Sequence, residues 1–302
     1  MKVVLKMGKK LVAFVISFLI FTLTFSILTR KEVFATSSIN TSQTYYVYDG
    51  ITGEFLRQYT LNAVPYVDNS RSVIGADTRT VDFSVSGVAK LMSETGCLGS
   101  GFVVDGHTIG TAAHCVYNRN TNSVRIVDSV RLFDMVGVVR KIAYPVEVHI
   151  PKNYVTNSSA TDYDYALISV WEDVSKYACF NLGTILDSVN MSTTPIFVSG
   201  FPQIVGDTYV KLSNDTEYTG TGQLSFLETR TIFYDVDTSG GDSGGPIYMK
   251  TIMNSKTYYT LIGIHTNGED NNIHRGCNYG TRITTELLHF YKNNSNVSHE
   301  YQ

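Results

Sequence analysis

Beyond residue 72 the chain is built from short runs of β-branched and aromatic residues, each bounded by Gly, Asn, Asp or Ser. The runs fall at 101–104, 124–127, 136–142, 165–170, 195–198, 231–236, 246–249, 258–264 and 280–283. Short strands at this spacing predict an all-β sandwich or barrel. One stretch breaks the pattern. From Thr285 to about Asn293, Leu287, Leu288, Phe290 and Tyr291 recur at helical spacing behind a Thr cap, which predicts a single helix closing the fold. No repeat of 20 to 50 residues is present.

A chain of 302 residues with 43% hydrophobic and 17% charged residues can bury a sizeable core and is not of disordered composition. The net charge of -3, with no polybasic stretch in the body, argues against nucleic acid as a partner. Charge is unevenly placed, however. Residues 1–35 hold six Lys or Arg and one acid, whereas residues 72–302 hold 16 bases and 23 acids.

The basic start has a specific reading. Lys2, Lys6, Lys9 and Lys10 precede an uncharged apolar run from Leu11 to Leu28, and Val33-Phe34-Ala35 offers a cleavage site, so residues 1–35 read as a secretory signal. A retained membrane anchor is the rival, since eighteen apolar-rich residues reach the lower limit for a span and Arg30 and Lys31 would act as a stop. Residues 36–71 turn to Ser, Thr, Asn and Tyr without a regular apolar period, cannot build a core alone, and read as a removable pro-segment, the alternative being a flexible arm. Residues 72–302 form the functional domain, expected to be secreted.

Four cysteines in an exported chain predict two disulfides. Cys97 and Cys115 flank the Asp105-Gly106 turn of a predicted hairpin and would be brought together, leaving Cys179 with Cys277 by elimination. Zinc is the other use of such residues. His265, His274 and Cys277 fit no ordinary zinc spacing, so no metal is expected.

Three segments carry chemistry. Thr111-Ala112-Ala113-His114-Cys115 sets a His after a strand. Tyr163-Asp164-Tyr165-Ala166-Leu167-Ile168 opens an apolar strand with an acid, which needs a partner if carried inward. Gly240-Gly241-Asp242-Ser243-Gly244-Gly245-Pro246 is a glycine-dense loop whose amides can converge around a Ser hydroxyl. A Ser hydroxyl is a weak nucleophile. It needs a neutral imidazole to take its proton and an acid to fix the imidazole tautomer, which is why these three belong together. Asp162 is a nearby rival for the acid, but lacks the apolar strand directly after it.

The chain order His, Asp, Ser with an all-β pattern selects the chymotrypsin-like arrangement over the subtilisin and α/β-hydrolase orders. TAAHC and GDSGGP resemble the His and Ser signatures of that serine protease family, and the resemblance spans residues 72–302. It implies two packed six-stranded β-barrels, the first at about 72–180 and the second at about 190–283, with the C-terminal helix at about 285–293. His114 becomes general base then acid, Asp164 its orienter and Ser243 the nucleophile. The amides of Gly241 and Ser243 form the oxyanion hole. The expected partners are protein or peptide substrates and a protease acting near Arg71. No cofactor is expected, and the enzyme is expected to be a monomer.

Two signals bear on specificity. Asp237 lies six residues before Ser243, where trypsin-like members keep the acid that binds Arg or Lys. The string His265-Thr266-Asn267-Gly268 followed by Tyr279-Gly280-Thr281-Arg282-Ile283-Thr284 instead resembles the bacterial glutamyl endopeptidases, some of which also carry an Asp-Thr pair before the Ser loop. That resemblance implies cleavage after Glu, with His265 and the Thr238 hydroxyl as donors to the substrate carboxylate. The Ser loop departs from the glutamyl pattern, since Asp242 and Gly244-Gly245-Pro246 are the trypsin-like version, in which the Asp receives the new α-ammonium after pro-segment removal. Ser72-Val73-Ile74-Gly75 after Arg71 resembles such a mature start. A trypsin-like enzyme using Asp237, or a non-catalytic binding protein on the same fold, are the alternatives.

Overall fold

The computed structural model describes residues 42–62, 79–185, 193–202, 204–205, 208–209, 215–268 and 277–294. They belong to one compact unit, Ser38–Gln302, while the expected signal segment and the Arg71-Ser72 bond lie outside the described residues. No helix among the described residues is long and apolar enough to cross a membrane.

Fifteen of the strands among the described residues carry the architecture. An N-terminal hairpin, β1 (Gln43–Asp49) and β2 (Phe55–Leu61), is followed by β3 (Val88–Ser93), β4 (Gly96–Asp105), β5 (Thr108–Thr111), β6 (Ser129–Phe133), β7 (Val139–Ala143), β8 (Pro145–Pro151) and β9 (Ala166–Val170). Then come β10 (Pro195–Gly200), β11 (Tyr218–Leu227), β12 (Thr231–Tyr234), β13 (Pro246–Met253), β14 (Lys256–Asn267) and β15 (Asn278–Arg282).

In the first half the strands run in the order β7-β6-β3-β4-β5-β9-β8, and only Tyr144 separates β7 from β8. The chain bends there. β7 pairs with β6 and β8 with β9, which closes six strands around Leu91, Phe102, Ile109, Val130, Leu132 and Ile168. In the second half the order is β14-β13-β10-β11-β12-β15, and β15 pairs back onto β14 to close a second barrel around Ile196, Leu224, Ile232, Ile247 and Ile262. The expected pair of six-stranded barrels is the observed fold.

Several strands escape the sequence pattern. β8 is bracketed by Pro145 and Pro151, and β3 and β6 carry Lys90 and Arg131, whose charges meet at Asp215. The run at 124–127 supplies only the short pairing of Ser123–Val124 with Tyr117–Asn118. The helix forms at Thr285–Asn294, buries Leu287, Phe290 and Tyr291, and is capped by Thr284 Oγ1, which accepts the Leu287 amide at 3.2 Å.

The hairpin β1–β2 falls within the segment read as a pro-segment. β1 pairs along the edge of β8, from Tyr45 opposite Pro151 to Asp49 opposite Glu147. Gln43, Tyr45 and Val47 are buried while the residues between them are not, so a period of two is present. Tyr46 and Tyr48 on the outer face hide it by being as aromatic as Tyr45. The hairpin lends its inner face to the barrel's core: Tyr45 stacks on Phe290 of the helix with ring centroids 4.4 Å apart.

The expected disulfides are not formed, and all four cysteines are free thiols. The β4–β5 register, Phe102 opposite Gly110, would bring Cys97 opposite Cys115 if the ladder continued. It does not. β5 ends at Thr111, and one helical turn, Ala113–Val116, carries Cys115 off the strand direction. Gly99, not Cys97, faces that thiol, for a Cβ there would lie 2.6 Å from Cys115 Sγ.

Candidate active site

His114 sits in the helical turn that follows β5. Its amide donates to Asp164 Oδ1 at 2.9 Å and its Nδ1 meets Asp164 Oδ2 at 2.8 Å, so one carboxylate fixes both backbone and ring. A carboxylate acceptor at Nδ1 leaves Nε2 as the basic nitrogen. Burial pulls the imidazole pKa down most strongly, but the Asp164 charge and hydrogen bond together with the neighbouring Cys115 outweigh it and hold His114 well above the ordinary histidine value. Asp164 is buried, and its carbonyl accepts Thr281 Oγ1 from β15 at 2.9 Å. The acid therefore stands where the two barrels meet. Asp162 points elsewhere, with Oδ2 3.9 Å from Arg230 Nε.

The Ser243 loop is held from both sides. Ser100 of β4 donates its amide to the Ser243 carbonyl at 2.7 Å and its hydroxyl to the Gly241 carbonyl at 2.7 Å. From β14, the His265 carbonyl accepts the Gly244 amide at 2.7 Å. Gly244 has φ +84°, and a Cβ there would lie 2.2 Å from the Ser100 carbonyl oxygen, so no other residue fits. The amides of Asp242, Gly244 and Gly245 are committed within this web, whereas no hydrogen bond described takes those of Gly241 and Ser243. Ser243 itself is partly exposed.

Asp242 turns inward. Its Oδ2 accepts the Ser239 amide at 2.9 Å and lies 3.5 Å from Arg79 Nη1, both side chains being almost fully buried. Arg79 thus supplies a cation where the resemblance implies a new α-ammonium, and no sequence signal marks it, because the contact spans more than 160 positions.

At the expected pocket base, His265 is buried and its Nδ1 lies 2.5 Å from Tyr234 Oη. Burial, assisted by the positive charges of His114 and Arg79, pushes its pKa down to about 3, so the ring is neutral rather than cationic. Burial also keeps Tyr234 protonated. Thr238 Oγ1 is buried with no hydrogen-bond partner. Asp237 is partly buried and engaged. Tyr234 was missed by sequence reasoning, since an aromatic in a strand reads as core. No cluster among the described residues could hold a metal ion, and His274 lies outside them.

Residues 73–288 match the family model for Trypsin. The chain is 27% identical over 233 residues to a glutamyl endopeptidase of Bacillus licheniformis, covering 72% of this chain and 67% of that protein. It is 28% identical over 238 residues to a Bacillus subtilis (strain 168) protein called an extracellular metalloprotease, with the same coverages. A solved structure of a Glu endopeptidase in complex with MPD superposes with a TM-score of 0.58 at 22% identity, covering 74% of this chain and 98% of that one.

Proposed function

The chain belongs to the trypsin family of serine proteases, and from that premise we propose a secreted endopeptidase that cuts peptide bonds after Glu through an acyl-enzyme. Ser243 Oγ attacks the scissile carbonyl while His114 Nε2 takes its proton. The carbonyl oxygen becomes an oxyanion facing the free amides of Gly241 and Ser243, each such donor contributing about a hundred- to a thousandfold in rate. The imidazolium, stabilised by Asp164, then protonates the departing amine. Water repeats the cycle in reverse and releases the acid.

The observation that carries the Glu reading is the orphaned Thr238 hydroxyl. A buried hydroxyl without a partner costs about 1–3 kcal/mol, and a substrate carboxylate removes that cost by accepting its proton. If Tyr234 Oη is the donor to His265 Nδ1, the proton of neutral His265 sits on Nε2 as a second donor beside the pocket. Arg79 adds positive field at His265 while pairing with Asp242.

Maturation is part of the same reading. The signal segment leaves after Ala35, and cleavage at Arg71-Ser72 gives the mature start. Because Arg79 already meets Asp242, the oxyanion loop does not depend on the new ammonium for its counter-charge. The test is an active-site serine probe on the secreted protein. Labelling of wild type and none of Ser243→Ala is expected, and equal labelling of both, or hydrolysis by the Ser243→Ala protein, would overturn the assignment.

A further inference from the structure

We propose that the hairpin Gln43–Leu61 stays with the active enzyme as a non-covalent peptide subunit after the chain is cut near Arg71, seated on the β8 edge and against the C-terminal helix. The proposal rests on the cleavage described above, but its test does not.

The seat is made of three kinds of contact. First, β1 adds a strand to β8, and without it the β8 edge between Glu147 and Pro151 loses its main-chain partners. Second, the hairpin is clamped by charge. Arg57 of β2 donates two hydrogen bonds to Glu147 at 2.6 and 2.8 Å, Glu147 also meets His149 Nε2 at 3.1 Å, and Tyr59 Oη lies 3.1 Å from His149 Nδ1. His149 is buried, and the contact at its Nδ1 comes from the hairpin through Tyr59. Third, Tyr45 fills an aromatic slot against Phe290, and its hydroxyl lies 3.1 Å from that of Tyr165. Tyr165 is itself buried, with Glu286 as its other partner at 3.2 Å.

Departure of the hairpin would uncover a sheet edge, an apolar ring face and a buried hydroxyl together. These losses fall where no other described segment can replace them. The position also separates the hairpin from an inhibitory plug: Asp164 gives its carboxylate to His114, whereas the next residue, Tyr165, gives its ring to Tyr45. The hairpin thus packs on the residue that directly follows the triad acid.

The test uses the full chain with Ser243→Ala to prevent self-cleavage and with residues 66–71 replaced by the recognition sequence of an added site-specific protease. After nicking, the sample is run on size exclusion in native buffer and its fractions are weighed by mass spectrometry. The N-terminal peptide is expected to elute with the body and to separate only in denaturant, while Tyr45→Ala with Arg57→Ala weakens retention at least tenfold. Separation of the unsubstituted peptide in native buffer, or retention unchanged by the double substitution, would overturn the proposal. N-terminal sequencing of the wild-type active enzyme is a separate readout. A start at Thr36 would sink the cleavage at Arg71 and leave the result for the seat standing.

Discussion

At the scale of single residues, the proposed chemistry depends on a few groups whose neighbours set their state. His114 must be neutral to act as base, and Asp164 raises its pKa, so kcat/KM should fall as pH drops through a value above that of an ordinary histidine. A pH profile on a Glu ester reads this directly, and an acid limb below the ordinary value would contradict it. Asp164→Asn should lose about ten-thousandfold through the wrong imidazole tautomer, while Asp162→Asn, remote from the ring, should lose less than tenfold; the two kcat values decide between the acids. His265→Ala should lower cleavage after Glu by about ten- to a hundredfold, the equivalent of one such donor, and spare hydrolysis of an uncharged active ester. Arg79→Ala strands a buried carboxylate, and breaking one side of such a pair costs about 3–5 kcal/mol. Activity and melting temperature should both drop, in precursor and mature forms alike. The triad strings were legible because their chemistry requires fixed residue types within a few positions. Arg79 and Tyr234 were not, since each meets its partner only through the closed second barrel or its connection to the first.

At the scale of elements, the C-terminal helix and the strands β9, β12, β13, β14 and β15 were legible from apolar runs and a Thr cap. The hairpin was not, because a strand that borrows its core from a neighbour needs only three buried positions and its Tyr-rich outer face erased the alternation. The disulfide expectation failed for a related reason: the register was right, but a helical turn after Thr111 ended it. The hairpin clamp has a pH dependence. Burial alone would raise the Glu147 pKa, but its bonds from His149 and Arg57 outweigh that and bring it down to about 2. Its folded value is depressed, so its contribution is full above the ordinary carboxylate range and is lost as pH falls toward 2. Thermal unfolding of the Glu147→Gln protein should lie below wild type at pH 7, with the gap closing as pH approaches 2; a gap that stays constant would show that the ion pair adds nothing.

At the scale of the whole molecule, two closed barrels do what neither does alone. The first supplies His114, Asp164 and the Ser100 props; the second supplies Ser243, Thr238 and His265, and Thr281 ties the junction by its bond to Asp164. The chain order of the site residues was readable in the sequence, but the full strand count was not, since nine runs were read, and neither was closure, because it rests on a bend at Tyr144 and on the β14–β15 pairing between segments separated by residues 268–277. The central claim is that this site hydrolyses peptides after Glu. The most direct measurement is to digest a denatured protein of known sequence with the purified enzyme, using the Ser243→Ala protein as control, and to map every new terminus by mass spectrometry. Cuts on the carboxyl side of Glu, fewer after Asp and none in the control, are the predicted result; cuts after Arg or Lys that vanish in Asp237→Ser but persist in His265→Ala would contradict it.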